Sequence, residues 1–303
     1  MLSISTAWNF RPEGKAKVFD NLQQIKDIGL DTIELGYTLT ENQVKEIVSL
    51  LPRMQMKVSS IHNFCPMPSN GSSRRHPSNY YRLSALDESE RQKAVQWTKS
   101  TIDLAQKVSS PVVIIHAGTI EIENDPTDQL RQLYAQGRTN DPEFQKMRQQ
   151  LLTGRDKAKG PYVDAVVKSL QDVIAYARGK IIIGLETRYY PVEMPNFEEI
   201  GILLKLFDAN KLQYWHDVGH AEVNERLGIR PHADFLKNYS NRMMGVHIHG
   251  VDGLKDHAAP FTGNFDLMKV TPFLNEKTIK VIESRFASFE ELKIAVEKLS
   301  SLS

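Results

Sequence analysis

Short apolar runs alternate with amphipathic stretches along the whole chain. Several of the short runs are nearly continuous in Val and Ile, as in Val112–Ile115 and Ile181–Ile183. A strand that is buried on both faces of a parallel sheet has this pattern, because neither of its faces meets solvent. Eight strands are predicted on this basis, at Leu2–Trp8, Asp31–Tyr37, Lys57–Asn63, Pro111–Ala117, Lys180–Glu186, Leu212–Asp217, Met243–His249 and Ile279–Glu283.

Amphipathic helices are predicted between these strands, and three of them begin with a capping box. In a capping box, the side chain of the N-cap residue accepts a hydrogen bond from the backbone N–H three residues later. The Gln or Glu side chain at that later position accepts one from the backbone N–H of the N-cap residue. The three boxes are Thr40 with Gln43, Asn196 with Glu199, and Ser288 with Glu291. Further helices are predicted at residues 88–108 and from Val163 onward, where apolar residues recur at helical spacing. The connection 250–278 has room only for a short helix near Phe265–Leu274.

Eight strands that alternate with helices predict an α/β fold, a single (β/α)8 TIM barrel over residues 1–303. A doubly wound open sheet is the alternative, but no G-x-G-x-x-G motif follows the first strand. Two long βα loops are predicted, at about 66–86 and 118–161. Both would leave the C-terminal ends of strands, the face on which barrel enzymes build their active sites.

Composition and charge narrow the function classes. A hydrophobic fraction of 41% and a charged fraction of 25% are typical of a globular protein. The net charge of +1 counts against a nucleic-acid partner, and the single cysteine, Cys65, excludes an internal disulfide. The N-terminus does not resemble a signal peptide, and no apolar run approaches the ~18 residues of a membrane span. We therefore expect a cytoplasmic protein without a membrane partner, and the sequence leaves a homo-oligomer open.

Polar side chains of the types that bind metal ions stand at the ends of the predicted strands. The ends of barrel strands converge on one mouth, so residues that are far apart in sequence meet there. Carboxylates that meet in a low-dielectric mouth repel one another unless a cation lies between them. Two or three carboxylates with one imidazole suit a divalent ion such as Mn²⁺, Zn²⁺, Mg²⁺ or Co²⁺. The strand-end candidates are His62, His116, Glu186, Asp217, His220, His247, His249 and Glu283.

The alternation of side chains along a strand separates some of these candidates from their neighbours. His247 and His249 lie two residues apart and face the same way, whereas His216 faces away from Asp217 and is predicted to be structural. Glu34 is predicted to pair with an Arg or Lys, with a direct role in the site as the alternative. His232 opens a predicted surface helix.

Three arginines are candidates for binding an anionic group of the substrate. Arg188, Arg74 and Arg75 could neutralise a phosphate or a carboxylate. A solvated surface is the interpretation that we favour for all three, because charged residues in loops are usually exposed.

The strand-end motifs resemble those of the xylose isomerase-like barrel superfamily, over nearly the whole chain. That superfamily includes sugar and sugar-phosphate isomerases and epimerases, and endonuclease IV. The resemblance rests on Ile33-Glu34-Leu35-Gly36, His62, the run from Val113 to Gly118, Leu185-Glu186-Thr187, Asp217-x-Gly219-His220, His249-x-x-Asp252 and Ile282-Glu283.

The resemblance implies one divalent metal ion and a set of residues that contact the substrate. The implied metal ligands are Glu186, Asp217, His249 and Glu283, and His249 is preferred to His247 because Asp252 follows it at the H-x-x-D spacing. The resemblance implies that His220 contacts the substrate and that His62 and His116 can line its pocket. His247, Arg188 and His257 complete the set of residues that we expect to bind substrate. His62, His116 and Glu186 match the ligands of a second metal in endonuclease IV, so a second ion at these residues stays open.

The resemblance also implies the chemistry. A metal-dependent isomerase or epimerase of a small carbohydrate, a sugar or sugar phosphate, would move a proton next to a carbonyl through an enediolate, with Glu186 and Glu283 as the catalytic pair. A related sugar-acid dehydratase or lyase is an alternative, as is a barrel that only binds its ligand.

An endonuclease IV-like abasic-site nuclease with two or three zinc ions is a further alternative. The net charge argues against it, and so does Lys255, which stands where that enzyme's third metal site has an Asp. Basic and aromatic residues are interleaved in the predicted loop at about 66–86, and such a pattern suits nucleic acid, so the nuclease remains an alternative. These residues are Arg74, Arg75, Tyr80, Tyr81 and Arg82.

Overall fold

The computed structural model describes residues 1–14, 16–68 and 79–302, and eight strands within them form a closed parallel barrel. Each strand pairs with the next in chain order, and the last pairs with the first, which confirms the TIM barrel predicted from the sequence. The barrel strands are β1 (Leu2–Ser5), β2 (Thr32–Leu35), β3 (Lys57–His62), β4 (Val112–Ile115), β5 (Ile182–Glu186), β6 (Leu212–Asp217), β7 (Met243–Ile248) and β8 (Ile279–Ile282). Several are one to three residues shorter than predicted, so that His116, His249 and Glu283 directly follow their strands.

Helices surround the barrel, and the three predicted capping boxes are present at the starts of α2, α6 and α9. The predicted helix 88–108 is α3. None of the described helices is both long and apolar enough to cross a membrane. The helices are α1 (Val18–Asp27), α2 (Glu41–Met54), α3 (Glu88–Lys107), α4 (Thr127–Ala135), α5 (Pro142–Ala177), α6 (Phe197–Leu206), α7 (Val218–Arg226), α8 (His232–Tyr239) and α9 (Phe289–Ser301).

The segment 118–161, predicted as a long loop, is mostly helical. It contains α4 and the first part of α5, a 36-residue helix that continues through Pro161 to Ala177. The buried positions in the first part of α5 are widely spaced and include a charged residue, Arg155, so the apolar stripe is weak in the sequence. Packing stabilises this part, because Phe144 and Leu151 join a small apolar cluster with residues of α4 and α7.

The interior of the barrel contains an apolar layer around Trp215, which is fully buried. Val112, Ile114, Ile279 and Val281 pack with it. Gly245 makes room for the indole, because a Cβ built there would lie 2.3 Å from the Trp215 ring. The main hydrophobic core lies outside this layer, between the strands and the helices.

Short segments line the mouth of the barrel where the sequence predicted only loops. An antiparallel pair joins Gly250–Asp252 to Lys255–Ala258, and a second pair joins Gly118–Thr119 to Glu193–Met194. Two single 3₁₀ turns, Leu267–Lys269 and Thr271–Phe273, replace the short helix that was predicted near residues 265–274. Of the predicted loop 66–86, residues 69–78 lie outside the described part of the chain, and with them Arg74 and Arg75.

Candidate metal and substrate site

Four acidic and imidazole side chains meet at the C-terminal ends of β5 to β8. One potential ligand atom from each of Glu186, Asp217, His247 and Glu283 lies within 4.8 Å of the others. The Nδ1 atom of His247 lies 2.7 Å from Oε1 of Glu186, 3.1 Å from Oε2 of Glu283 and 3.6 Å from Oδ2 of Asp217. All four residues are buried, so three carboxylates surround one imidazole nitrogen away from solvent.

This polar group lies directly above the apolar layer because of strand alternation. Trp215 and Asp217 are two residues apart on β6, and Gly245 and His247 are two apart on β7, so each pair shares one face of its strand. On both strands, the inward-facing positions therefore change from apolar to polar over two residues.

The pKa values of this group show how its charges depend on one another. Burial by itself would raise the pKa of Glu186, but the imidazoles of His116, His247 and His62 hold it well below its usual range. Asp217 and Glu283 behave in the same way, with neighbouring histidines lowering their pKa against the effect of burial. Burial disfavours protonation of His247, yet Glu283 and Glu34 raise its pKa well above the usual value. A positive charge is therefore favoured at the centre of the carboxylates.

Glu34 holds the other side of the His247 ring. It was predicted to pair with an Arg or Lys, but its Oε2 atom instead accepts a hydrogen bond from Ser60 at 2.8 Å and lies 3.1 Å from Nε2 of His247. A carboxylate in this position accepts a hydrogen bond from Nε2–H and leaves the Nδ1 atom facing the other carboxylates.

His249 lies outside the four-residue group. Its Nε2 atom lies 3.2 Å from Oδ1 of Asp217, and its Nδ1 atom accepts the backbone N–H of His257 at 3.0 Å. Nδ1 of His249 faces a backbone donor and its Nε2 atom faces one carboxylate, whereas Nδ1 of His247 faces three carboxylates. The geometry therefore favours His247 over His249 as a metal ligand.

A second group of potential ligands consists of His62, His116 and Glu186. Oε2 of Glu186 contacts Nε2 of His116 directly and lies 3.4 Å from Nε2 of His62. The Nδ1 atom of His116 is buried and has no hydrogen-bond partner among the described residues. Burial, together with the nearby charge of Arg188, lowers the pKa of His116 well below its usual value. The ring is therefore neutral and has a nitrogen lone pair that could bind a metal ion.

A third group consists of Asp217, His220 and His257. Nδ1 of His220 donates to the backbone oxygen of Thr187 at 2.8 Å, so its Nε2 atom carries the free lone pair. The sequence interpretation missed Asp256, whose Oδ1 atom lies 2.8 Å from Nδ1 of His257. The signal was its position directly before His257. The first and second groups share Glu186, and the first and third share Asp217.

Arg188 is buried. The sequence-based interpretation that it lies on a solvated surface is therefore wrong. Its guanidinium bridges Oε2 of Glu186 at 3.0 Å and Oε1 of Glu193 at 2.9 Å. Burial would raise the pKa of Glu193, but the Arg188 charge lowers it to about 2. This ion pair forms part of the cavity wall next to the second group.

His216 and His232 lie on the outer side of β6. His216 contacts the Tyr214 hydroxyl at 2.7 Å through Nδ1 and Nε2 of His232 at 3.0 Å through Nε2. His216 therefore faces away from Asp217, as the strand alternation predicted, and its contacts are with Tyr214 and His232. His232 does begin α8, but its side chain is buried and not on the surface.

A cavity of about 460 Å³ opens above the three groups. Besides the histidines and carboxylates already described, Tyr37, Tyr189, Tyr190, Arg285 and Phe286 line it. The sequence interpretation did not identify these residues as part of the site. Phe286, at the rim, is 80% exposed, more than any other large apolar side chain among the described residues.

Solved structures with the same architecture match nearly the whole chain. The D-allulose 3-epimerase from Methylomonas sp. is 14% identical, with a TM-score of 0.68 over 100% of this chain and 97% of that chain. The 3-keto-D-glucoside 4-epimerase from E. coli is 13% identical, with a TM-score of 0.66 over 99% and 98% of the two chains. A D-tagatose 3-epimerase-like protein is 18% identical, with a TM-score of 0.61 over 99% and 96%.

These identities are low, so the structural likeness establishes the fold alone. No curated protein sequence matches this chain. The sequence model that describes the xylose isomerase-like TIM barrel matches residues 22–302, nearly the full length. The chain therefore belongs to the xylose isomerase-like TIM barrel family.

Proposed function

We propose that this protein is a divalent-metal-dependent isomerase or epimerase of a small carbohydrate. The observation that carries the proposal is the buried meeting of Glu186, Asp217, His247 and Glu283 at the mouth of the barrel. The sugar epimerases among the similar structures add support, since they have the same fold over the same length.

The donor set fits a divalent ion. Three buried carboxylates in one group are costly unless a cation compensates their repulsion. In the protein alone, a proton on His247 provides part of that compensation, and a metal ion would provide more. Oxygen ligands with one imidazole suit Mn²⁺, Mg²⁺, Co²⁺ or Zn²⁺. The geometry supports Glu186, Asp217, His247 and Glu283 as the ligands, with Glu34 orienting His247.

When bound, the ion would supply Lewis acidity to a carbonyl and the adjacent hydroxyl of the substrate. Glu186 ends β5 and Glu283 follows β8, and β6 and β7 lie between these two strands in the barrel. The two carboxylates therefore approach the cavity from different sides. One would remove the proton next to the carbonyl, and the other would return a proton to the enediolate.

The cavity above the carboxylates suits a small polar substrate. Its volume of about 460 Å³ lies in the range of small-molecule sites. We propose that His62, His116, His220, His257 and Arg188 contact the substrate hydroxyls, while Tyr37 and Tyr189 cover its apolar faces. His247 was expected to contact substrate, but in this proposal it binds the ion instead.

The first test combines metal analysis with proton exchange. Purified protein should hold one divalent ion per chain, and Asp217→Asn should lose it while Glu297→Gln, an exposed control on α9, should not. The loaded protein should incorporate deuterium from D₂O into one member of a panel of ketoses and ketose phosphates. Metal-loaded protein that exchanges no substrate in the panel, and binds none of them in calorimetry, would overturn the carbohydrate assignment.

A metal-dependent nuclease is a second candidate, favoured by one specific observation. Three groups of potential ligands adjoin one another and share Glu186 and Asp217, which could hold up to three ions. Tight binding of two or three zinc ions per chain, with incision of a duplex that contains an abasic site, would favour this function over the isomerase. Binding of one ion without incision would favour the isomerase.

A further inference from the structure

His249 lies beside Asp217 with both ring nitrogens engaged. The backbone N–H of His257 points at Nδ1 from 3.0 Å. The Gly250 carbonyl oxygen, which can only accept, is farther from Nδ1, at 3.4 Å. A backbone N–H can only donate, so the shorter contact makes Nδ1 the acceptor, and the proton of the neutral ring is then on Nε2. Nε2 lies 3.2 Å from Oδ1 and 3.3 Å from Oδ2 of Asp217, so its N–H donates to that carboxylate.

We propose that His249 is a positioning residue that orients Asp217 as a metal ligand, and that it does not bind the metal itself. Coordination through Nε2 would remove the Nε2 proton while Nδ1 still accepts from His257, leaving the ring without either proton. A neutral histidine cannot satisfy both demands. Its effect on the metal therefore passes through Asp217.

Asp217 is held from one side by two donors. Besides the His249 ring, the backbone N–H of His220 donates to Oδ1 at 2.8 Å, because Asp217 is the N-cap of α7. Its Oδ2 atom lies 3.6 Å from Nδ1 of His247, on the side of the other carboxylates. Two fixed donors leave the carboxylate one orientation in which it can offer a lone pair to the shared centre.

Gly219 makes room for this arrangement. A Cβ built on Gly219 would lie 2.2 Å from Cε1 of His249, so a side chain at this position would displace the ring. The ring of His257 stacks on the ring of His249, with 4.6 Å between the ring centroids. His257 also has a φ of +60°, a left-handed conformation that is uncommon for a residue with a side chain. The Asp-x-Gly-His motif thus couples a helix cap to a packing site for His249.

The tautomer of His249 can be tested without any metal. In metal-free protein near neutral pH, ¹⁵N spectra of the histidine side chains should show His249 as the Nε2–H form, assigned from the spectrum of His249→Gln. An Nδ1–H form or a doubly protonated ring would overturn the inference. This measurement stands whether or not the protein is an isomerase.

The role in metal binding rests on the proposed function and is tested with Mn²⁺. His249→Gln keeps an amide N–H close to the position of Nε2–H, whereas His249→Leu has no donor. We expect a loss of Mn²⁺ affinity of about 10- to 100-fold in His249→Leu and substantial rescue in His249→Gln. The nitrogen coupling in the spin-echo spectrum of bound Mn²⁺ should persist in both variants and disappear in His247→Gln. Loss of that coupling in His249→Gln, with retention in His247→Gln, would make His249 the ligand.

Gly219→Ala tests the same role without changing a polar side chain. It should weaken Mn²⁺ binding about as much as His249→Leu and shift the His249 ring signals. Gly160→Ala is the matched control, because a Cβ on that glycine of α5 would meet no atom within 4 Å. Wild-type affinity in Gly219→Ala would contradict the inference. Absence of Mn²⁺ binding in the wild type would contradict the proposed function, and the tautomer would then decide the inference alone.

Discussion

Strands of the barrel contribute to two successive layers of its interior, and these layers differ in polarity and in what holds them together. The apolar layer is centred on Trp215, and the polar layer above it contains Glu186, Asp217, His247 and Glu283. The apolar layer is determined by volume, since Gly245 leaves the space that the indole fills. The polar layer is determined by charge, since each carboxylate has imidazole or guanidinium partners. Stability should therefore depend mainly on the first layer, and chemistry on the second.

The largest expected effect is on catalysis in the polar layer. Glu283→Gln keeps an oxygen for the metal but removes the base, so kcat on a confirmed ketose should fall ~10²–10⁴-fold with little change in melting temperature. Glu297→Gln should keep wild-type kcat. Near-wild-type turnover by both Glu283→Gln and Glu186→Gln would show that the two-carboxylate mechanism is wrong.

The apolar layer should respond in the opposite way. Trp215→Ala removes a fully buried indole and should lower the free energy of unfolding by about 3–5 kcal/mol, measured by urea denaturation. Met268→Ala, at an exposed position, should change it by less than about 0.5 kcal/mol. We expect the metal affinity of Trp215→Ala to stay within about tenfold of wild type. Abolished metal binding in folded Trp215→Ala would show that the two layers are not separable.

Removal of the metal from the polar layer should lower the stability of the folded protein. Since the ion binds the folded state, saturation at a thousandfold excess over Kd should raise the free energy of unfolding by about 4 kcal/mol over the chelated protein. Thermal denaturation with and without chelator measures this difference. The difference should be much smaller in Asp217→Asn, and an identical melting temperature for loaded and chelated wild type would contradict metal binding by the folded state.

The smallest expected effect concerns Glu193, at the edge of the polar layer. Arg188 lowers its pKa to about 2 from an ordinary 4.5 against the effect of burial. A lowered folded-state pKa stabilises the protein above pH 4.5, and this contribution disappears as the pH falls towards 2. A shift of this size corresponds to about 3 kcal/mol. Urea denaturation of metal-free protein should show a shallower loss of stability with acid in Glu193→Gln than in wild type.

Glu297→Gln serves as the control for this pH series, because an exposed carboxylate has little influence on acid stability. Its stability should follow the wild-type curve throughout. If Glu193→Gln also followed the wild-type curve, the Arg188–Glu193 pair would not contribute to the acid sensitivity of the fold.

The amino-acid sequence by itself determined the barrel and the position of the site within it. Strands buried on both faces produce continuous apolar runs, and eight such runs with helices between them allow few architectures. The polar residues at the ends of these runs could be recognised because a buried parallel strand has few other reasons to end in Glu, Asp or His. His62, His116, Glu186, Asp217 and Glu283 were singled out in this way, and the structure places them in groups that could hold a metal ion.

Only the tertiary structure decided which of those residues contact one another and which of them face the shared centre of the carboxylates. The choice between His247 and His249 depends on Glu34, 213 positions away from His247, and on the backbone of His257. Arg188 is buried because Glu193 folds back onto it, and the first part of α5 is helical because α4 and α7 cover it. These contacts join residues whose separation along the chain carries no periodic signal, so local pattern could not reveal them. Which nitrogen faces a carboxylate and which charge has a partner are set by packing.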